Sequence, residues 1–376
     1  MNSQEPKVAL VHDWLTNQGG GERVLWALHK AFPRAPIYTS VFNPEPLTNF
    51  ADLDIRTSFL QRWPFAKTKH QLYSMLRQVA FESFNFSNYD IVISSCSAEA
   101  KGIITKPGTM HVAYIHTPTR YYWSDYTRYL KAPGLGIFDP IAKLILPHLI
   151  SKIRNWDFAA AARPDYLIAN SDNVAKRIEK YYHRTSQVIY PPVQIQNFHI
   201  THNPKEFLLV VSRLIPYKRI DLAVEACRDL DIELIVIGVG SELKRLQKLA
   251  GPKIKFVVGA TDAEVADYYS NAKAFIFPTE EDFGITPLEA MASGRPVIAY
   301  GKGGALETVI DGQTGVFFQK QTVPSLIKAI QDFDSNRYNP ELIQKHASKF
   351  SEERFLQEIQ GFIEHQYQNY NEHLTN

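Results

Sequence analysis

Cysteine is scarce, with Cys96 and Cys227 the only two in 376 residues. They lie far apart and fit no metal-ligand spacing. Reduced thiols serving as small core residues in a cytosolic setting are expected. Charge of one sign is also missing: 41 basic residues face 39 acidic ones, a formal net of +2, so the broad electrostatic footprint of a nucleic-acid binder is absent. No long apolar run occurs. The most membrane-like stretch, Gly136 to Ile150, is interrupted by Asp139, Lys143 and Pro147, too short and too charged to span a bilayer. A helix covering a core is the favoured reading there, with a peripheral membrane contact left open. M-N-S-Q-E-P-K passes directly into V-A-L-V without a basic leader, so no signal peptide is expected. Internal repeats and low-complexity segments are absent as well.

What is present is enough apolar residue, 45%, for full cores, and a length suited to two or three domains. Strand-like runs recur at 7–12, 90–95, 111–115, 165–170 and 186–190, followed by Pro191-Pro192, two fixed φ angles that stop regular structure. A second series occupies 207–212, 232–238, 253–259, 274–278 and 296–300. Near-continuous apolar strands separated by helical segments predict parallel sheets covered on both faces. The fold class is therefore α/β, two doubly wound, Rossmann-like domains. The expected boundaries are 1–190, 191–350 and a terminal segment, 351–376, whose Phe355, Ile359 and Phe362 fall at the spacing of an amphipathic helix packing back on the first domain.

Three constellations carry chemistry. P-T-E-E-D-F-G-I-T-P-L-E-A-M-A-S-G (278–294) reads as loop then helix, with Glu281 in the loop at the carboxyl end of a buried strand, the edge where open α/β sheets bind ligands. Thr286-Pro287-Leu288-Glu289 has the order of a capping box, with Thr286 as N-cap. N-Q-G-G-G-E-R-V (17–24) opens a helix after the first strand, where glycines and free N–H groups favour an anion, although the pattern is not the dinucleotide G-x-G-x-x-G. S-R-L-I-P-Y-K-R-I-D (212–221) follows the first strand of the second domain, and Arg213 with Lys218 could hold a diphosphate. The strings Asp52-Leu53-Asp54 and Asp229-Leu230-Asp231 read as solvated turns rather than metal ligands.

Together with Y-I-H-T-P-T-R-Y-Y-W (114–123) and G-G-A-L-E-T-V-I-D-G-Q-T-G-V-F-F (303–318), these segments make the chain resemble the retaining glycosyltransferases of the two-domain GT-B fold. The resemblance is to the large fourth sequence family, which includes sucrose synthases and many polysaccharide-building enzymes. H-T-P-T-R-Y-Y-W looks similar to bacterial transferases that build surface or capsule polysaccharide. The resemblance implies two domains facing a cleft. It assigns Glu289 to the nucleotide ribose, Glu281 to the donor hexose and anomeric centre, and the backbone of Phe283, Gly284, Ile285 and Thr286 to the sugar and phosphates. His116 would contact the donor sugar across the cleft. Gly19 and Gly20 would lie beside the diphosphate, with Gly21 where alanine is often found. Arg213 and Lys218 would stabilise the leaving nucleoside diphosphate.

The resemblance also implies base recognition through backbone groups near Gly259 and Ala260, so side chains do not declare the base. A UDP-hexose such as UDP-glucose is favoured, with GDP-mannose the alternative. Neither a cofactor nor a metal is expected. The acceptor, a saccharide or lipid-linked oligosaccharide, would meet Arg120, Tyr121 and Tyr122 and the aromatic, basic stretch 61–70 in the first domain. The implied location is cytoplasmic, with the inner face of the membrane left open. A sugar-nucleotide epimerase and a non-catalytic nucleotide-sugar binder share the architecture and stay open as alternatives.

Overall fold

The computed structural model describes residues 5–131 and 139–375. The chain divides into two compact units, residues 1–190 with 355–376, and residues 191–354. In the first unit, β1 (Val8–His12), β2 (Ile37–Thr39), β3 (Ile55–Thr57), β4 (Ile91–Cys96), β5 (Met110–Ile115), β6 (Tyr166–Ala169) and β7 (Gln187–Val188) form one parallel sheet. Its order is β3-β2-β1-β4-β5-β6-β7. Side chains alternate across the strands. Leu10, Ile93 and Val112 enter the core on one face, while Ala9, Val11, Val92 and Ala113 enter the core on the other. That is why these strands read as continuous apolar runs.

Helices close both faces. The helix Gly20–Ala31 sends Val24, Leu25 and Leu28 into the first core, and the terminal helix Glu352–Thr375 adds Phe355, Ile359 and Ile363. Phe362 is only half-buried at the rim of that core, so the inward stripe ends on Ile363 instead. Phe81, Val174 and Ile178 fill the second core from the helices Ser74–Glu82 and Asp172–Tyr182.

In the second unit, β8 (Leu208–Val211), β9 (Leu234–Ile237), β10 (Ile254–Val257), β11 (Ala274–Phe277), β12 (Val297–Tyr300) and β13 (Gly315–Phe318) form a second parallel sheet. The order is β10-β9-β8-β11-β12-β13. Leu208, Val210, Ile276 and Ile298 pack on the helices Ile220–Asp229 and Val323–Gln331. The sequence pattern does not predict β2, β3 and β13. β2 (I-Y-T) and β3 (I-R-T) have three residues each and end on a polar threonine, so neither makes a continuous apolar run.

No described helix is long and apolar enough to cross a membrane. Of the run Gly136 to Ile150, residues 136–138 lie outside the described residues, and the remainder belongs to the helix Asp139–Ala160. Ile150 and Ile153 of that helix pack with Tyr122.

The terminal helix gives a direct test of core packing. Phe355→Ala empties a fully buried position and should cost about 3–5 kcal/mol, with Phe362→Ala costing clearly less. Chemical unfolding of both variants checks this, and equal losses would contradict the assigned stripe.

Candidate active site

In each sheet the strand order reverses once, between β1 and β4 in the first and between β8 and β11 in the second. At such a point neighbouring loops diverge to opposite sides, leaving a crevice at the carboxyl edge. Gly19 and Gly20 follow β1 at the first of these points, and Arg213, Lys218 and Glu281 follow β8 and β11 at the second.

In the second unit, β8 runs into the segment bearing Arg213 and Lys218, and β11 into the one bearing Glu281. A short 3-10 turn, Pro216–Lys218, brings the Lys218 ammonium into an ion pair with the Glu281 carboxylate, both side chains largely buried. Thr279 donates its hydroxyl to Glu281 at 3.4 Å. Tyr217 lies between the two cations: Arg213 donates to its hydroxyl at 3.3 Å, and the Lys218 ammonium stands 5.3 Å from its ring. The reversal is thus bridged by an ion pair.

The loop after Glu281 differs from the sequence expectation. The helix runs Ile285–Ala292, with Gly284 as N-cap at φ +91 and no side-chain cap. Thr286 is therefore inside the first turn, and the capping box with Glu289 does not form. Glycine tolerates the positive φ that starts the helix early, and Pro287 is still within the turn whose N–H groups lack helical partners. Glu289 instead points inward, where the buried Tyr269 donates its hydroxyl at 3.0 Å. Phe283 is buried, whereas Ile285 and Thr286 are half-buried.

Gly303 and Gly304 follow β12 and support the Glu281 loop. Gly304 donates its N–H to the Glu281 carbonyl at 2.9 Å, and a Cβ on Gly304 would stand 2.3 Å from the backbone of Phe283. Their absence of side chains lets the acid-bearing loop seat against them. Ala260 is half-buried beyond β10, with Gly259 at φ +76 before it. The two D-x-D strings lie at the opposite edge of each sheet, just before β3 and β9, where Asp54 pairs with Arg56 and Asp231 with Lys253.

In the first unit, His12 ends β1, Ser95 is the penultimate residue of β4 and His116 directly follows β5. Ser95 Oγ lies 2.8 Å from His116 Nε2 and 3.3 Å from His12 Nδ1, so one hydroxyl joins two imidazoles. Glu22 stands 3.9 Å from His12. Burial first, and His12 second, push the pKa of His116 down to about 3, so its ring is neutral across the physiological range. Gly19 is the N-cap and Gly20 the first residue of the helix Gly20–Ala31. A Cβ on Gly21 would meet His12 at 3.5 Å and His116 at 3.6 Å, ordinary contact, so an alanine fits there.

Sequence reasoning missed His12 and Ser95. Their signal was a polar residue closing an otherwise apolar strand, in V-A-L-V-H and I-V-I-S-S. It also missed the layer behind them. The buried Asp13 carboxylate accepts backbone N–H groups from Ser97 at 2.6 Å, Ala98 at 2.9 Å and Ala100 at 2.8 Å. Burial, then Glu99, raise its pKa, with His12 and the N–H groups opposing. Glu99 is held by Arg77 through two bonds of 2.9 and 3.1 Å, and Lys101 pairs with Asp157 at 2.6 Å.

The three residues expected to meet an acceptor diverge. Tyr121 is 56% exposed, Arg120 half-buried, and Tyr122 only 6% exposed, with its hydroxyl donating to Glu99 at 3.2 Å. Tyr122 is therefore a support of the buried network and not a surface contact.

Two families match. Residues 18–197 fit the family described as Glycosyltransferase Family 4, and residues 194–353 the family described as Glycosyl transferases group 1. The fold is that of GT-B proteins: HepE of Anabaena, solved with UDP-glucose, superimposes with a TM-score of 0.69 at 19% identity, covering 96% of this chain and 100% of that one. The chain belongs to the GT-B glycosyltransferases of the family 4 type. An uncharacterized glycosyltransferase of Methanocaldococcus jannaschii is 26% identical over 229 residues, 56% of this chain and 64% of the relative. A GDP-mannose-dependent alpha-(1-6)-phosphatidylinositol monomannoside mannosyltransferase of Mycolicibacterium smegmatis is 32% identical over 143 residues, 33% of this chain and 37% of the relative. The chain thus aligns with less than two thirds of the length of either relative.

Two substitutions test the supports. Gly304→Ala forces its Cβ against the Phe283 backbone and should cost about 1–3 kcal/mol while displacing the Glu281 loop. Asp13→Ala strands three buried N–H groups and should cost at least about 3 kcal/mol. Chemical unfolding measures both, and losses below about 0.5 kcal/mol, the level of an ordinary surface change, would contradict the packing described.

Proposed function

We propose that the chain is a retaining, metal-independent glycosyltransferase moving a hexose from a sugar nucleotide to a growing saccharide or lipid-linked acceptor in polysaccharide biosynthesis. The observation that carries this reading is the Lys218–Glu281 ion pair at the strand-order reversal, with Arg213 beside it and the Gly284 helix start next to it. Cations and a helix N-terminus suit a diphosphate, and an acid within reach suits the hydroxyls of the attached sugar.

The chemistry follows from charge. As the bond from the anomeric carbon to the diphosphate oxygen breaks, its electron pair leaves with the phosphate and positive charge grows on the sugar. Arg213 and Lys218 stabilise the departing diphosphate. Glu281, already compensated by Lys218, is placed to favour the developing positive charge. The acceptor oxygen bonds to the anomeric carbon from the face the phosphate leaves, and a phosphate oxygen takes the acceptor proton, which retains configuration. Glu289 orients the ribose with Tyr269 behind it, and in the first unit neutral His116 offers a hydrogen-bonding group without charge.

UDP-hexose is the favoured donor, supported by the UDP-glucose found in HepE, a chain aligned over its full length. A GDP-mannose donor is the second reading, supported by the 32% identical mannosyltransferase segment. Thermal shifts with UDP- and GDP-sugars separate them, since ligand bound to the native state raises apparent stability. A sugar-nucleotide epimerase would convert the donor without any acceptor, and a non-catalytic binder would shift the melting point without turnover.

Arg213→Ala and Lys218→Ala should each lower turnover by about one to two orders of magnitude, the cost of one lost charge-assisted phosphate contact. Activity should persist in excess EDTA. Near-normal rates in both variants, or loss in EDTA with rescue by magnesium or manganese, would contradict the proposed diphosphate site. Glu281→Gln should keep nucleotide affinity and lose turnover, whereas Glu289→Ala should weaken affinity itself.

A further inference from the structure

Residues 55–81 contain no acid and five cations, in a chain whose whole net charge is +2. Arg56 is paired with Asp54 and Arg77 with Glu99. Arg62, Lys67 and Lys69 are exposed and make no ion pair among the described residues. Interleaved with them stand three exposed aromatics: Phe59 at 41%, Trp63 at 42% and Phe65 at 71%. We propose that this segment is a membrane-docking surface that seats the enzyme on an anionic lipid bilayer.

The segment is built to present these side chains. Leu60 and Ala66 turn inward to a small core with Val41 and Ala80, while their neighbours Phe59 and Phe65 turn out. Trp63 lies against Phe59 and Tyr73, with ring centroids 6.2 and 5.3 Å away. Phe65 is held at φ +58, in the left-handed region that bulky residues rarely adopt, and an exposed aromatic kept in such a conformation points to a function. The whole segment is tied to the loop after β1. Trp14 stacks on His70 at 4.5 Å, and the Arg77 guanidinium, 4.9 Å from the Trp14 ring, also donates to the His70 carbonyl at 3.2 Å. Ser58 donates to the Ser40 carbonyl at 2.8 Å, and Ser40 in turn donates to the Asp13 carbonyl. The patch is thereby fixed near the carboxyl edge that carries His12 and Gly19.

Charge and shape select the occupant. Exposed aromatics interleaved with exposed cations match an interface where apolar rings enter the headgroup boundary and ammonium or guanidinium groups meet lipid phosphate. A second copy of this chain is disfavoured, because a two-fold contact would set Arg62, Lys67 and Lys69 against themselves. A nucleic acid would ask for a longer basic track than three cations. The inference deepens the transferase reading by placing a lipid-linked acceptor at the bilayer. It is tested without turnover, so the two can fail separately.

The test is co-sedimentation of the full chain with vesicles of phosphatidylcholine alone and with about 30% phosphatidylglycerol, at low and high salt. Binding is expected only to the anionic vesicles and should weaken with salt. Lys67→Gln with Lys69→Gln should lower the partition about 25-fold, roughly fivefold per cation, and Phe65→Ser about tenfold, with unchanged unfolding midpoints. Equal binding to both vesicle types, no binding, or normal binding by both variants would overturn the proposal. So would dimer formation or capture of a polyanionic oligonucleotide that depends on the same residues while vesicles are ignored.

Discussion

Parallel strands oblige the chain to cross over after each one, and at one place in each sheet the order must turn back. That reversal is the constraint on which the candidate site depends. In the second unit it separates β8 from β11, and the Lys218–Glu281 pair spans the opening. The pair holds a cation and an acid in register before any ligand arrives. Gly303 and Gly304 complete the arrangement by letting the acid's backbone settle against the next loop.

The first unit solves the same problem with buried charge. Asp13 collects three N–H groups from the loop after β4, and Arg77, Glu99, Lys101 and Asp157 form ion pairs behind it. Such pairs repay their desolvation only when geometry is good and their other hydrogen bonds are filled. Here they are filled: Asp157 accepts from Thr119, Trp123 and Tyr182, and Glu99 from Tyr122. The result is a rigid rear wall for loops that carry His12, Ser95 and His116.

Much of this was legible in the sequence, and what was not has identifiable causes. Long apolar strands, Pro191-Pro192 and the acids after A-F-I-F announce an α/β chain with chemistry at a carboxyl edge. β2 and β3 escaped because I-Y-T and I-R-T are three residues ending on a polar threonine and make no continuous apolar run. The capping box at Thr286 was misread because Gly284 starts the helix two residues earlier, a choice made by backbone conformation that composition does not reveal. The buried network escaped because its partners are distant in sequence: Arg77 and Glu99 are 22 residues apart, and Lys101 and Asp157 are 56 apart. Tyr122 looked like a surface residue beside Tyr121, yet that network draws it inward.

The account stands on the β8–β11 opening being a diphosphate site that works through protein cations. Isothermal titration of UDP, GDP and the corresponding monophosphates in metal-free buffer addresses this directly. The account predicts that one diphosphate binds at least about tenfold more tightly than its monophosphate, the scale of one charge-assisted contact, and that Lys218→Ala removes this difference. Equal affinity for mono- and diphosphate, or a preference for diphosphate untouched by Lys218→Ala, would contradict it.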